Sequence, residues 1–312
     1  MMKISLLVIA STFMQGCIFE YPNCPDDPWK HLKVRFDTSL CPDASPEGMA
    51  LLFYPSDGSE PWRFDLRGLE GGTVSLPPDT YRVIAYNNDT YRTMVEESDD
   101  FRLCSFTTPP AGVFDGAETL TRTPVPGIPP EGEEDVRKMP QMMWCGVVSD
   151  IDTSADSVVS IPLRQSVAKI SVDIGGVADI GNINRLAAVI TGMSGSYLCS
   201  GLTPSGSPTA IPFPINRPSP ASDYLSGQLL SFGKDNLTHP SYLLLYVWLS
   251  DGHNYYFKFD VTESIRDAPD PLDIHLSLGP ITIPPLSGSG SGDGGMDVGV
   301  DDWDFIIIDM ES

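Results

Sequence analysis

The sequence predicts an all-β protein of two tandem β-sandwich domains, residues 32–165 and 166–312, and three observations carry that reading. The 29 prolines and 28 glycines are spread along 312 residues, which leaves long helices little room. Apolar residues fall in short runs of strand length, with no sustained helical spacing. An alternating strand followed by a continuous apolar one occurs in each half, at 32–36 then 49–54 and again at 167–174 then 186–191, which suggests one architecture used twice.

The elements follow in order. Leu32, Val34 and Phe36 alternate with Lys33 and Arg35, the pattern of a strand with one buried face. The apolar run 49–54 ends at the turn cluster Pro55-Ser56-Asp57-Gly58, and alternation resumes at 62–66, so the two segments read as a hairpin. Residues 72–76 and 80–86 are strands flanking Pro77-Pro78-Asp79. Residues 108–140, rich in proline and closing on acidic side chains, read as an exposed excursion of low order. Strand composition returns at 141–148 and 157–163, closing the first domain. In the second half, 167–174 and 186–191 are strands, 175–184 is briefly helical, and the Pro/Ser-rich stretch 201–222 reads as a loop. Residues 242–250 and 254–260 flank Asp251-Gly252-His253, where Asp-Gly suits the positive φ angles of a tight hairpin turn. A strand at 274–278 and a Gly/Ser-rich tether at 287–295 precede the last apolar strand, which contains Trp303, Phe305 and Ile307. That strand must be covered by its own sheet or by another molecule, which makes Trp303, Phe305 and Ile307 the candidate strand-pairing interface.

The first sixteen residues read as a signal peptide: Lys3, then a short apolar stretch, then Gly16 before Cys17. The stretch is shorter than the roughly 20 residues of a membrane-spanning helix. The pattern resembles a bacterial lipobox, with Met14 and Gln15 where Leu and Ala or Ser are more usual, so Cys17 is the expected lipidation site. Residues 17–31 would then be a tether on the outer membrane, held by more than one acyl chain. The net charge of −23 excludes the basic footprint that nucleic acid requires.

Reactive groups do not converge in the sequence. His31, His239, His253 and His275 are scattered, no HExxH, GxSxG or GK[ST] motif occurs, and no GxGxxG follows a strand. Cys24, Cys41, Cys104, Cys145 and Cys199 show no metal-ligand spacing; Cys24 with Cys41 is an obvious pair to consider, and buried free thiols are the alternative. Asp293, Asp297 and Asp301 are the only calcium candidates, in a loop without EF-hand spacing that reads most simply as solvated. No metal or cofactor is expected. Trp62, Trp248, Trp303 and the pair Tyr255-Tyr256 could stack on sugars, but their strand positions favour core packing.

Several segments together resemble a family. These are Cys17 in its lipobox setting, Met49-Ala50-Leu51-Leu52-Phe53-Tyr54-Pro55, Leu76-Pro77-Pro78-Asp79-Thr80-Tyr81 with the following strand to Asn87-Asn88-Asp89, Val167-Ala168-Lys169-Ile170-Ser171-Val172, and the closing Asp301-Asp302-Trp303-Asp304-Phe305-Ile306-Ile307-Ile308. The chain resembles the fimbrillin-like lipoproteins of the Bacteroides group, which include minor and anchoring fimbrial subunits. The resemblance implies two tandem transthyretin-like, Greek-key sandwiches on an outer-membrane lipid anchor, no enzymatic activity, and fimbrial or other surface subunits as partners, engaged by β-strand pairing. A glycan-binding lipoprotein of a nutrient-uptake system is the alternative, and a hydrolase hidden in loops is a third reading.

Overall fold

The computed structural model describes residues 29–114, 134–234 and 239–286, together with the backbone of residues 303–308. The segment expected to be a signal peptide, the expected lipidation site Cys17, Cys24, and the calcium candidates Asp293, Asp297 and Asp301 lie outside the described residues. The protein is all-β. Its strands are β1 (Lys30–Asp37), β2 (Gly48–Pro55), β3 (Trp62–Arg67), β4 (Gly72–Leu76), β5 (Thr80–Asn87), β6 (Met94–Glu96), β7 (Ser105–Thr107), β8 (Asp135–Val136), β9 (Trp144–Asp152) and β10 (Val158–Gln165) in the first half. The second half adds β11 (Ala168–Ile174), β12 (Val177–Ala178), β13 (Ile183–Leu198), β14 (Thr203–Phe213), β15 (Ile215–Asn216), β16 (Leu225–Ser231), β17 (Tyr242–Leu249), β18 (Asn254–Asp260), β19 (Asp273–Leu278), β20 (Ile281–Thr282) and β21 (Trp303–Ile308). A 3-10 turn at Ile180–Asn182, within the segment expected to be briefly helical, and the single-turn helix α1 at Thr262–Arg266 are the helical pieces among the described residues.

Both halves use one strand order. In the first, β3-β2-β5-β9 faces β10-β1-β4; in the second, β14-β13-β17-β18 faces β19-β11-β16. In each half the opening strand runs parallel to a late one, β1 with β10 and β11 with β19. The first core lies between its two sheets and contains Leu32, Val34, Leu51, Phe53, Val83 and Ile161. The second contains Ile170, Val172, Ile190, Leu245, Phe257 and Leu276. On β11 the buried residues Ile170, Val172 and Ile174 alternate with half-buried Lys169, Ser171 and Asp173, as the period of two requires.

In the first half β10 joins the two sheets. Its residues Val158 to Pro162 run parallel to β1, and Leu163 to Gln165 then turn antiparallel to Trp144, Cys145 and Gly146 of β9. Gly146 permits the crossing, because a Cβ there would stand 2.5 Å from the Pro162 carbonyl oxygen and 2.8 Å from Ile161 Cγ2.

The continuous apolar run on β2 has a structural cause. Met49, Leu51 and Phe53 enter the first core, while Ala50, Leu52 and Tyr54 on the opposite face join Ile84, Tyr86, Phe106, Tyr197 and Phe232 in a separate cluster. That cluster spans both halves, so β2 and β5 are buried on both faces. Residues 242–249 follow the same rule. Leu243, Leu245 and Val247 face the second core, whereas Leu244 and Tyr246 face Val113, Phe114 and Val136.

Two expectations are corrected. Residues 201–222 are no simple loop, since 203–213 form β14 along β13. Pro204, Pro208 and Pro212 are tolerated because, among the described residues, β14 is paired on its other side only with the two-residue β8, and an edge strand can turn a position without an N–H away from its partner. The described ends of 108–140 are likewise ordered. Pro110 bridges Arg137, and β8 pairs with Thr209 and Ala210 of β14. The Arg137 guanidinium fixes this by donating to Thr107 Oγ1 at 3.0 Å and the Thr108 carbonyl at 2.8 Å. Strands β7 and β8, early in the sequence, thus pair with the sheet of the second half.

Candidate functional site

The hairpin predicted around Asp251-Gly252-His253 is present: β17 and β18 pair antiparallel, with Gly252 at φ 91°. Phe257 and Phe259 of β18 point into the second core, leaving Asn254, Tyr256 and Lys258 as the outward set. Tyr256 stacks on Tyr246 at 6.0 Å, and the Lys258 ammonium stands 3.6 Å over the Tyr242 ring. One edge of β18 is occupied by β17. The other carries β21 in parallel register, Trp303 opposite Asn254 through Ile308 opposite Phe259.

The candidate interface residues Trp303, Phe305 and Ile307 are therefore in register with the outward set of β18, and Ile306 and Ile308 with Phe257 and Phe259. In the first half the corresponding edge of β9 is covered by Leu163 to Gln165, the tail of β10, which follows β9 closely in sequence. In the second half the edge is covered by a strand that re-enters after residues 287–302. The arrangement is main-chain recognition: a strand edge supplies N–H and C=O groups, and the side-chain alternation sets register.

The aromatic candidates fall in two places: Trp62 lies on β3, whereas Trp248 on β17 and Trp303 on β21 are both in register with Asn254 of β18, next to Tyr255 and Tyr256. Trp62 is 38% exposed but meets Trp29 edge-on, with an interplanar angle of 89°. Trp248 packs against Phe114 at 5.1 Å and lies beneath the Arg185 guanidinium, and Tyr255 packs against the second core. The histidines are also apart: His31 meets Ser75, His239 meets Glu134, His253 meets Asp251 and His275 meets Asp173. No group of three or more His, Cys, Asp or Glu among the described residues could hold a metal ion.

A cleft of about 830 Å³ opens between residues 110–114, Lys138 and Met139, β13 at 185–187, and residues 212–216. Arg92, Lys138 and Arg185 line it, a basic trio in a chain of net charge −23. Among the described residues no carboxylate lines it. A smaller depression of about 280 Å³ holds the neighbours Asp99 and Asp100, but the Asp100 carboxylate caps a turn by accepting the Arg102 N–H at 2.8 Å.

The Asn87-Asn88-Asp89 turn is a hydrogen-bond hub whose role the sequence did not disclose. Asn87 Oδ1 accepts the Trp144 N–H at 2.8 Å, and its Nδ2 donates to Asp89 Oδ1 at 2.7 Å and to the Met142 carbonyl at 3.2 Å. Asp89 in turn accepts the Glu47 N–H, and Asn88 Nδ2 donates to Asp65 Oδ1. Arg63 and Asn88 beside Asp65 hold its carboxyl below the usual range, the guanidinium contributing most. At the other end of β5, Tyr81 OH donates to the Pro77 carbonyl at 3.0 Å, and burial pushes this phenol up to about 12.

Two sandwiches that share one order of seven strands, with a last strand laid on the edge of β18 in the second, define the class: a double β-sandwich whose candidate site is a strand edge. The family model described as Domain of unknown function (DUF5119) matches residues 23–214, and the chain belongs to that family. Among solved structures, a candidate adhesin from Bacteroides ovatus ATCC 8483 is similar over 90% of this chain and 98% of its own, with a TM-score of 0.64 at 18% identity. A second candidate adhesin from Bacteroides ovatus covers 80% and 88%, with a TM-score of 0.51 at 10% identity. A candidate polysaccharide-binding protein (DUF1812) from Bacteroides thetaiotaomicron VPI-5482 covers 80% and 89%, with a TM-score of 0.51 at 13% identity. These likenesses show a shared fold. No curated protein matches the chain.

Proposed function

We propose that this protein is a non-enzymatic adhesin-class surface lipoprotein, anchored to the outer membrane through Cys17, that joins fimbrial or other surface subunits by β-strand pairing. The observation that carries the reading is the parallel seat of β21 on the β18 edge after a long intervening segment. A strand reached through such a segment is one whose seat another chain's strand can take, and whose own segment can pair elsewhere. The resemblance to fimbrillin-like lipoproteins and the shared fold with candidate Bacteroides adhesins support it. Among the described residues, the lining of the basic cleft includes no pair of carboxylates for hydrolysis. The glycan-binding alternative would rest on exposed, coplanar rings; of the aromatic candidates, Trp62 meets Trp29 edge-on, Trp248 meets Phe114 edge-on, and Tyr256 stacks on the buried Tyr246.

The test is fractionation and cross-linking of cells making the wild type, Cys17→Ala, and a chain ending after Gly295. Outer-membrane wild type that captures surface subunits, release by Cys17→Ala, and loss of capture without unfolding in the shortened chain are the expected results. Unchanged capture by the shortened chain rules out the terminal strand. Retention on immobilised polysaccharide with no captured subunit favours glycan binding.

A further inference from the structure

Three cysteines distant in sequence meet in the cluster that joins the two halves. Cys104, Cys145 and Cys199 are all fully buried, among Tyr54, Tyr86, Phe106 and Tyr197. Cys145 lies on β9, opposite Tyr86 on one side and Arg164 on the other. Cys104 immediately precedes β7 and Cys199 immediately follows β13.

The β7–β13 register brings two of them face to face. Thr107 pairs with Ser196, Phe106 with Tyr197 and Ser105 with Leu198, so the next step of the antiparallel ladder sets Cys104 opposite Cys199. The ladder does continue, because the Cys199 N–H donates to the Cys104 carbonyl at 2.9 Å. Directly opposed residues of an antiparallel pair have Cα atoms about 4.5–5.5 Å apart. A disulfide spans Cα separations of about 4.4–6.8 Å. The Cys199 thiol is within hydrogen-bonding reach of Cys104 and also of Cys145, and burial pushes it well above the usual thiol range.

We infer that Cys104 and Cys199 form a disulfide in the exported protein, with Cys145 the third, unpaired thiol beside it. The inference rests on the export reading above, since cytosolic thiols are kept reduced. The bond forms by exchange with a protein disulfide of the exporting compartment before burial is complete. One thiolate attacks the donor disulfide and expels one donor thiolate, and the second cysteine then attacks the mixed disulfide and expels the other. Two cysteine thiols and one donor disulfide become one cystine and two donor thiols. The bond then fixes the Asp100 to Cys104 turn to the end of β13 across the junction, and restricts the unfolded chain by closing a long loop. The position of Cys145 against Cys199 makes it the thiol that would open the bond by internal exchange, and full burial keeps external reductants out.

The test traps thiols by acid quench and alkylation in the envelope fraction of cells making the full chain, followed by peptide mass analysis without reduction. The expected result is a linked pair of peptides carrying Cys104 and Cys199, Cys145 alkylated only after denaturation, and the same link in Cys145→Ala. Reduction should lower the unfolding midpoint of the wild type and leave that of a Cys104→Ala/Cys199→Ala chain unchanged. Three alkylated thiols in envelope-located protein overturn the inference, as does a Cys145–Cys199 link. A chain found only in the cytoplasm instead overturns export; the purified chain refolded with oxidised glutathione then decides the pair alone, linkage of Cys104 to Cys199 upholding it and three free thiols overturning it.

Discussion

The Asn87 side chain and the Trp144 backbone close the end of β5 onto β9: the Asn87 carbonyl accepts the Trp144 N–H at 2.8 Å, and its amide donates to the Met142 carbonyl two residues earlier. Asn87 is buried, so no water stands ready to replace these bonds. Asn87→Ala leaves two part-buried backbone groups, the Trp144 N–H and the Met142 carbonyl, without this partner, and we expect a loss of about 1–3 kcal/mol. Asn88→Ala removes one bond to the partly solvated Asp65 carboxylate and should cost about 0.5–1 kcal/mol. Urea unfolding of the two variants checks the order. Equal losses would mean that the hub is not the anchor of β5.

The crossing of β10 from one sheet to the other predicts a steric test. In Gly146→Ala the added methyl meets the Pro162 carbonyl and Ile161, both within the packed interior, and overpacking of this kind costs about 1–3 kcal/mol. Gly252→Ala is the control, because its φ is 91° but nothing lies within 4 Å of where a Cβ would stand, so only backbone strain of about 1–2 kcal/mol applies. Double substitution should be additive, since one site is at the sheet crossing and the other at a hairpin tip. Thermal unfolding of the three chains measures this, and strong non-additivity would contradict the independence of the two sites.

Glu134 predicts a pH dependence. It is buried beside β13, with Oε1 accepting the Gly192 N–H at 2.9 Å and facing His239 Nε2 at 3.2 Å, while Oε2 has no hydrogen-bond partner among the described residues. Burial pushes its carboxyl up, against the opposing pull of His239, Gly192 and Lys234. A carboxyl raised in the fold binds its proton more tightly there than in the unfolded chain, where the value is about 4.3. Its contribution to stability is therefore full below that value and is lost as pH rises through the raised one. Glu134→Gln removes the titration and keeps an acceptor for Gly192. Unfolding midpoints from pH 4 to 8 should show the wild type losing ground to the variant as pH rises; parallel profiles would assign the dependence to other groups.

How much of this was legible in the sequence depended on whether the signal was local. Alternation at 32–36 and 167–174 and the Asp-Gly turn at 251–252 specify their strands and hairpin by themselves, and the structure has them. β14 was hidden because three prolines mark a loop unless the strand is known to be an edge. The placing of β7 and β8 on the sheet of the second half has no local signature at all, since their pairing partners lie tens of residues away. The same holds for Cys104 and Cys199, which only the β7–β13 register brings opposite one another. At the candidate site, the apolar character of 303–308 announced a strand in need of cover, but the choice of the β18 edge and the parallel direction came from the tertiary structure.

Parallel pairing at that edge gives the last prediction, read by amide hydrogen exchange. In the full chain the amides of 254–260 divide their bonds between β17 and β21, because alternate residues of a strand point their N–H groups to opposite sides. A chain ending after Gly295 loses β21 and keeps β17. Alternate amides of β18 should then exchange much faster, while the amides that donate to β17 and those of the second core stay protected. The freed edge is also an association hazard, so the shortened chain should self-associate as concentration rises, and a peptide of residues 301–310 added in excess should restore both slow exchange and the monomer. Uniformly faster exchange across β17 and β18 would show instead that the last strand is part of the cooperative core and cannot be given up to a partner.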